Sequence, residues 1–476
     1  MYDVIIIGAG IVGCNIAYNL GKYNVNVLVL EKEPDVAMHA SKANSAIIHS
    51  GYDAITNSLK AKLNVIGTKL YPLLAQELNF PYQVIGSMVL AFDPNERKQL
   101  DVLFQQGCDN GVADIKIIDH DEIITLEPNI NDNVIAALYA PNTAIICPYE
   151  ATLAFASNAA LNNVKFIFDH QVKKINFDPD YFIVDDQFEA RYIINAAGAY
   201  SDDIAKLIQD DRYNITARKG EYLLLDRSEK LFSHVLFQTP NMMGKGVLIT
   251  PTVDGNTLVG PTAFDQEDKE DDSVTANGIK VIKDTVLKTT TKIDMRKVIT
   301  TFAGIRTVYQ DDFVIEPSYR HNHFINLIGI ASPGLASAPA IGEYVIELLQ
   351  KEGLNLVSKD DHINSRTKPI RITELNTQEY QELISKQPLY GKIVCRCELV
   401  SEQEIIDAIN QPLPALTLDG IKRRTRAGMG RCQSGFCSVR ILELLSEYQN
   451  TDMTAINKSY RDSFVVVSKT KGVNHD

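Results

Sequence analysis

No apolar run in the 476 residues approaches the roughly 20 that a membrane-spanning helix needs, which excludes a helical membrane protein and leaves room only for peripheral association. An excess of cations is missing too. The formal net charge is −13, which argues against a general nucleic-acid binder and is silent about fold. No internal repeat and no low-complexity tract interrupts the chain. Little sequence precedes a glycine motif that starts at Gly8, so no cleavable secretion signal is expected. Cysteine is sparse except at one end: there are seven, an odd number, and four cluster near the C-terminus. That pattern suits metal-binding thiols in a reducing cytoplasm better than a disulfide framework. The length accommodates two large lobes, or one large domain and a small one.

What is present begins with a nucleotide signature. Tyr2–Ile7 reads as a buried parallel strand, followed by Gly8, Gly10 and Gly13 and an apolar helix-like stretch, Ile11 to Leu20. A second strand-like run, residues 25–31, ends on Glu31 and completes a β-α-β unit of about 30 residues. Gly8 permits a tight turn, Gly10 lets backbone approach a pyrophosphate, and Gly13 allows close helix–strand packing. Glu31 is suited to accept hydrogen bonds from ribose hydroxyls.

Three further segments are built to approach a flat ring. Ala40–Gly51 is small and polar, with Ser41, Asn44 and Ser45 as candidate contacts. Asn195–Ser201 follows a strand and offers Ala197 and Gly198. Ser332–Pro339 precedes a helix, so the N–H groups of Gly334, Leu335 and Ala336 could face an anionic flavin edge. Other strand-like runs lie at 164–168, 181–184, 191–195, 247–250, 256–260 and 324–330, with a helix at Ala340–Leu349 and a solvated acidic loop at 262–275.

The C-terminal thiols stand as C-x-C at Cys395 and Cys397 and C-x₄-C at Cys432 and Cys437. Four thiolates in two tight loops suit a [2Fe–2S] cluster or zinc, and the C-x-C spacing is tighter than zinc sites use. Lys422, Arg423, Arg424, Arg426 and Arg431 lie just before the last two thiols, where free cations would raise the potential of a centre carrying roughly −2 when oxidised.

The combination of the 8–13 loop, Glu31, Asn44-Ser45, His49-Ser50-Gly51, Ser58–Leu63, Asn195–Ser201, Gly304-Ile305-Arg306 and Ser332–Pro339 resembles the FAD-dependent D-amino-acid-oxidase superfamily. Within it, the likeness is to the branch of glycerol-3-phosphate and L-2-hydroxyglutarate dehydrogenases. Val394–Glu398 with Gly428–Cys437 resembles the bacterioferritin-associated ferredoxin-like [2Fe–2S] domain. That domain is fused to the catalytic subunits of anaerobic-type glycerol-3-phosphate dehydrogenases.

The resemblance implies an α/β (α+β) fold. A Rossmann-like FAD lobe interleaves with an antiparallel-sheet substrate lobe over 1–352, a linker covers 353–390, the [2Fe–2S] domain 391–447 and a tail 448–476. It implies FAD and a [2Fe–2S] cluster as cofactors. It also implies a small anionic secondary alcohol as substrate, and an electron-accepting flavoprotein subunit or a quinone as partner, in the cytoplasm. Gly304 and Arg306 would lie at the flavin, with the Arg306 fork holding a carboxylate or phosphate unless Asp311 or Asp312 pairs with it. His49 is the candidate base or a cofactor contact, with His234 in reserve. Tyr52-Asp53-Ala54 stands where aerobic glycerol-3-phosphate enzymes carry an arginine. An L-2-hydroxy acid, an amine substrate and a redox shuttle without an organic substrate therefore remain as alternatives.

Overall fold

Tyr2–Ile7 has its last four side chains fully enclosed, and a backbone so surrounded must pair within a sheet. In the computed structural model, which describes residues 1–240, 246–468 and 470, it is the central strand β1. The chain turns into α1 (Ile11–Leu20) and returns as β2 (Val27–Leu30), parallel to β1 with Val4 opposite Val27. The helix α2 (Leu59–Leu78) is started by Ser58, whose hydroxyl accepts the Ala61 N–H, and stopped by Asn79 in the left-handed region.

Strand β3 (Phe188–Asn195) flanks β1 on its other side, with Tyr192 opposite Val4. Two long strands follow, β4 (Thr216–Leu225) and β5 (Val298–Val308), then β6 (Phe324–Ile328), parallel to β3. The helix α3 (Gly334–Lys351) closes the large region. It begins six residues earlier than the apolar pattern at Ala340 suggests, because Pro333 at its cap sits where a missing N–H costs nothing.

These strands belong to two sheets. One has eight strands built around β2, β1, β3 and β6, which pair in parallel. The other has nine, antiparallel apart from one parallel pair at Val235/Ser87, over a core that includes Met88, Leu223, Leu236 and Val259. In this second sheet β4 and β5 run side by side for ten residues, with Arg218 opposite Arg306 and Gly220 opposite Gly304. The expected α/β architecture with an antiparallel second sheet is what the chain adopts. The acidic stretch 262–275 is not all loop: Phe264–Gln266 pairs with β4.

The chain divides into two compact units. The first is Met1–Leu30, Ala37–Phe166 and Val172–Arg366, and the second is Glu31–Val36, Ile167–Gln171 and Thr367–Asp476. Residues 354–366 are tied to the first unit, the Asn24 N–H donating to the Val357 carbonyl and the Asn158 amide to that of Ile363.

The second unit contains α4 (Thr377–Lys386), within the stretch expected as linker, where Asn376 and Glu379 form a reciprocal cap. It continues through a strand at Ile393–Cys395, a helix at Glu402–Ile409, α5 (Leu418–Thr425) and α6 (Ser438–Gln449). Val400, Ile405, Ile421, Ile441 and Leu445 form its core together with Cys395 and Cys437. The strand-like run Phe464–Val467 makes a single bridge, Phe464 to Asn457, and Val467 is exposed, so no strand forms there. The end of the expected tail, 471–476, lies outside the described residues.

Candidate active site

The glycine loop owes its shape to contacts only hydrogen permits. Gly8 has φ +106°, and a Cβ there would lie 2.5 Å from the Ala196 carbonyl oxygen. A Cβ on Gly13 would lie 2.0 Å from the Gly8 oxygen, so helix and strand pack as the motif predicts. Gly10 is different: a Cβ on it would meet only the Ser41 hydroxyl, at 3.2 Å, and a Cβ on Gly198 would meet nothing within 4 Å. Those two positions are open cradle, not packing. The first turn of α1 carries no acid, and its Ile11 N–H donates to Ser41 Oγ at 2.8 Å. Ser41 thus fastens the 40–46 loop to the phosphate-binding turn.

The other segments gather in the same unit. A Cβ on Gly304 would stand 1.9 Å from the Ala43 oxygen, so β5 abuts that loop with no space to spare. Ser45 Oγ and the Tyr222 hydroxyl are hydrogen-bonded at 3.1 Å. Asn44 is spent within the loop: its amide donates to the Ala40 and Ser41 carbonyls, and its oxygen accepts the Ala46 N–H at 2.8 Å. At α3, the Leu335 carbonyl accepts the Tyr71 hydroxyl at 2.7 Å, and a Cβ on Gly67 would lie 2.1 Å from the Ala336 oxygen. The buried Ser337 hydroxyl has no partner. An open glycine cradle, a first helical turn without acid and an orphaned hydroxyl fit a large polar cofactor held mainly by backbone. Glu31, counted with the second unit, is buried and accepts the Glu33 N–H at 3.0 Å.

Arg306 projects from β5. Its Nη2 donates to the Thr262 carbonyl at 2.5 Å, while Nε is buried with no partner among the described residues. Burial presses the guanidinium below its ordinary pKa, with Tyr222 and Asp265 acting against that shift. Of the two expected competitors for it, Asp312 is engaged elsewhere. Asp312 caps α2, accepting the Leu59 and Lys60 N–H groups at 2.7 Å each, and the Asp311 carbonyl accepts from Lys60 Nζ. Arg218 is held by Asp265 and Lys219 by Asp271. The Ser58–Leu63 match is therefore a helix start pinned by Asp312.

His49 follows the short strand Ile47–Ile48 and is buried, its ring 5.5 Å from that of Phe237. Its carbonyl accepts the Asn64 amide at 2.6 Å and the Thr68 hydroxyl at 2.7 Å, which holds the residue from α2. His234, the reserve base, is instead a structural residue. Its Nδ1 meets the buried Glu127 at 2.7 Å, and Glu127 also accepts the Ser233 and His234 N–H groups. Tyr222 and Tyr71 were missed as neighbours of the site. Neither carries a local motif, and only the pairing of distant elements brings them there.

In the second unit the thiols pair crosswise. Cys397 Sγ lies 3.6 Å from Cys432 Sγ, and Cys395 is hydrogen-bonded to Cys437. Two thiolates on one tetrahedral metal with ~2.3 Å bonds stand about 3.8 Å apart. Two such pairs, one thiol from each loop, suit one pair per iron of a binuclear cluster. Among the described residues no group of three or more ligands converges as a single ion would require. The Cys437 hydrogen bond draws the Cys395 thiol down to about 6, towards the thiolate that binds metal. A Cβ on Gly430 would strike Cys397 Cβ at 2.2 Å, which explains the glycine there.

The cationic run is not all free charge: Arg423, Arg424 and Arg426 are ion-paired, on two carboxylates between them. Arg423 and Arg424 are buried on Asp35, at 2.6 and 2.7 Å, and Arg426 meets Glu398 at 2.8 Å. Burial alone would raise the Asp35 carboxyl, but the two guanidinia outweigh it and hold it well below the usual carboxylate range.

Residues 3–348 match the FAD dependent oxidoreductase family. The chain belongs to that family. Residues 393–447 of this FAD-dependent oxidoreductase match the BFD-like [2Fe-2S] binding domain, so FAD and a [2Fe–2S] cluster are its cofactors. The oxidoreductase is 43% identical to a glycerol 3-phosphate dehydrogenase of Caloramator mitchellensis over 476 residues, 99% of each chain. It is 34% identical to the mitochondrial L-2-hydroxyglutarate dehydrogenase of Caenorhabditis elegans, over 55% of this chain and 63% of that one. Among solved structures it is similar to the dithionite-reduced L-alpha-glycerophosphate oxidase of Mycoplasma pneumoniae with FAD bound. The TM-score is 0.74 at 32% identity, covering 78% of this chain and 99% of that one. No helix among the described residues is long and apolar enough to cross a membrane.

Proposed function

We propose that this oxidoreductase converts sn-glycerol 3-phosphate to dihydroxyacetone phosphate in the cytoplasm, electrons leaving by way of its [2Fe–2S] domain to a flavoprotein or quinone. The observation that carries the substrate is the 43% identity to a glycerol 3-phosphate dehydrogenase, which runs the length of both chains and so includes both cofactor modules. When bound, FAD supplies a hydride acceptor and the cluster a one-electron outlet.

The chain's own residues supply the rest. Arg306, partly buried and with no carboxylate on it among the described residues, offers its fork to the substrate's dianion. That location answers the absence of a cation at Tyr52-Asp53-Ala54, where Tyr52 is instead core. His49 accepts the hydroxyl proton as the adjacent C–H bond gives up its hydride. Its burial beside Phe237 keeps water from competing for that proton. Gly8, Gly10, Gly13, Ser41, Ala197, Gly198, Gly304, Gly334, Leu335 and Ala336 hold the cofactor, with Ser45 and Asn44 shaping the loop beside it and Glu31 assigned to the ribose. Cys395, Cys397, Cys432 and Cys437 hold the cluster.

The second reading, an L-2-hydroxy acid, draws on the 34% identity to an L-2-hydroxyglutarate dehydrogenase and uses the same Arg306. Anaerobic bleaching of the flavin by glycerol 3-phosphate, L-2-hydroxyglutarate and proline, side by side, decides between them. Glycerol 3-phosphate should bleach fastest. Faster bleaching by 2-hydroxyglutarate overturns the first reading in favour of the second.

A further inference from the structure

The two thiol pairs differ in exposure. Cys395 and Cys437 are sealed in the core of the second unit, whereas Cys397 is exposed and Cys432 partly so. The surface beside the open pair is unusual for a chain of net charge −13. Phe436, next to Cys437, is 85% exposed, and Val439, three residues on at the start of α6, is 61% exposed. Leu399, two residues after Cys397, is 53% exposed. Arg396, between the C-x-C thiols, and Arg431, beside Cys432, are exposed as well. Arg396 meets no carboxylate among the described residues, and Glu398, two residues on, meets Arg426.

A large exposed aromatic and two aliphatics with an arginine rim have the composition of an interface centre, where aromatic residues and arginine are enriched. Nothing in the second unit's own core requires Phe436 outside, since Cys437 and Ile441 already fill that end.

From this we infer that the Cys397/Cys432 edge is the docking face for an acidic electron-accepting protein, its carboxylates meeting Arg396 and its apolar centre covering Phe436 and Val439. The inference rests on the proposed oxidation only for the source of electrons. Each encounter moves one electron to the partner with no bond made or broken. Two encounters discharge one oxidised alcohol, whose hydrogens leave as two protons. A small, transient interface of less than about 1,200 Å² suits such traffic. Arginine at the rim of an exposed aromatic and aliphatic centre is the composition of a protein interface, which commits the face to a protein partner.

The probe is an acidic flavodoxin, tested with the full-length holoenzyme. Calorimetric titration at low salt should show binding that weakens steeply as salt rises. Arg396→Glu and Phe436→Ser should each weaken it about tenfold. Electron transfer to flavodoxin from enzyme reduced by light and deazaflavin should slow in proportion. Ferricyanide reduction, iron content and substrate-driven flavin bleaching should stay at parent values. Because light replaces substrate, a wrong substrate assignment leaves this test intact, and a wrong docking face leaves the bleaching test intact.

Should Phe436→Ser lose iron, Val439→Ser tests the same face. Iron loss in all three variants would make these residues part of the cluster's packing and overturn the proposal. So would a parent enzyme that ignores flavodoxin at low salt, or variants that bind it as well as the parent. Preferential binding to phosphatidylglycerol vesicles carrying quinone, lost in the variants, would reassign the face to a membrane and also refute the inference.

Discussion

Arg306→Ala is the substitution that most directly tests the anion site. Among the described residues the guanidinium makes one hydrogen bond, to the Thr262 carbonyl, and its buried Nε has no partner. Arg218 and Lys219 cannot stand in, since Asp265 and Asp271 already hold them. A partly buried charge-assisted fork contributes about 2–4 kcal/mol to holding an anion, so the alanine variant should lose about 30- to 700-fold in the apparent second-order rate of flavin bleaching. Arg306→Lys keeps the charge and loses the fork, and should recover part of that deficit. FAD content should not change, because the glycine cradle is built from other residues. Stopped-flow bleaching under nitrogen reads the rate, and flavin absorbance per chain reads the content. An alanine variant within twofold of the parent on glycerol 3-phosphate would show that the anion is held elsewhere.

Asp35→Asn should leave two buried guanidinia without a counter-charge and cost about 3–5 kcal/mol, read as earlier loss of cluster absorbance in urea. Since the folded pKa of Asp35 is depressed, its contribution is fully present above the unfolded value near ~4 and is lost as pH falls below it. The parent should therefore weaken below about pH 4 while the asparagine variant changes less, and parallel pH profiles would contradict this account. Cys395→Ser or Cys437→Ser should strip iron and stop steady-state transfer to the physiological acceptor, yet leave single-turnover flavin bleaching intact. Normal turnover with that acceptor would make the cluster structural. Gly304→Ala must displace the Ala43 carbonyl, which is 1.9 Å from the new methyl, so flavin content should fall by more than half; full occupancy would mean the loop can yield.

Much of the chemistry was legible because it is encoded over short stretches. The turn at Gly8-x-Gly10-x-x-Gly13 demands hydrogens at fixed positions, and the contacts of Gly8 and Gly13 are those demands made visible. The thiols Cys395, Cys397, Cys432 and Cys437 announce themselves by spacing alone. Spacing left open which thiols pair, and folding joins each thiol to one in the other loop.

Charge partnerships were wholly illegible. Asp35 and Arg424 are 389 residues apart, and Asp312 caps a helix that starts 253 residues earlier. No local pattern marks either pair. A cation's effect depends on whether packing delivers a carboxylate to it, and packing is decided by the burial of apolar faces that lie elsewhere in the chain. For that reason composition and motif determined the cofactors this protein can hold. Tertiary structure alone decided that Arg423 and Arg424 share the one buried carboxylate of Asp35, while Arg306 meets none among the described residues.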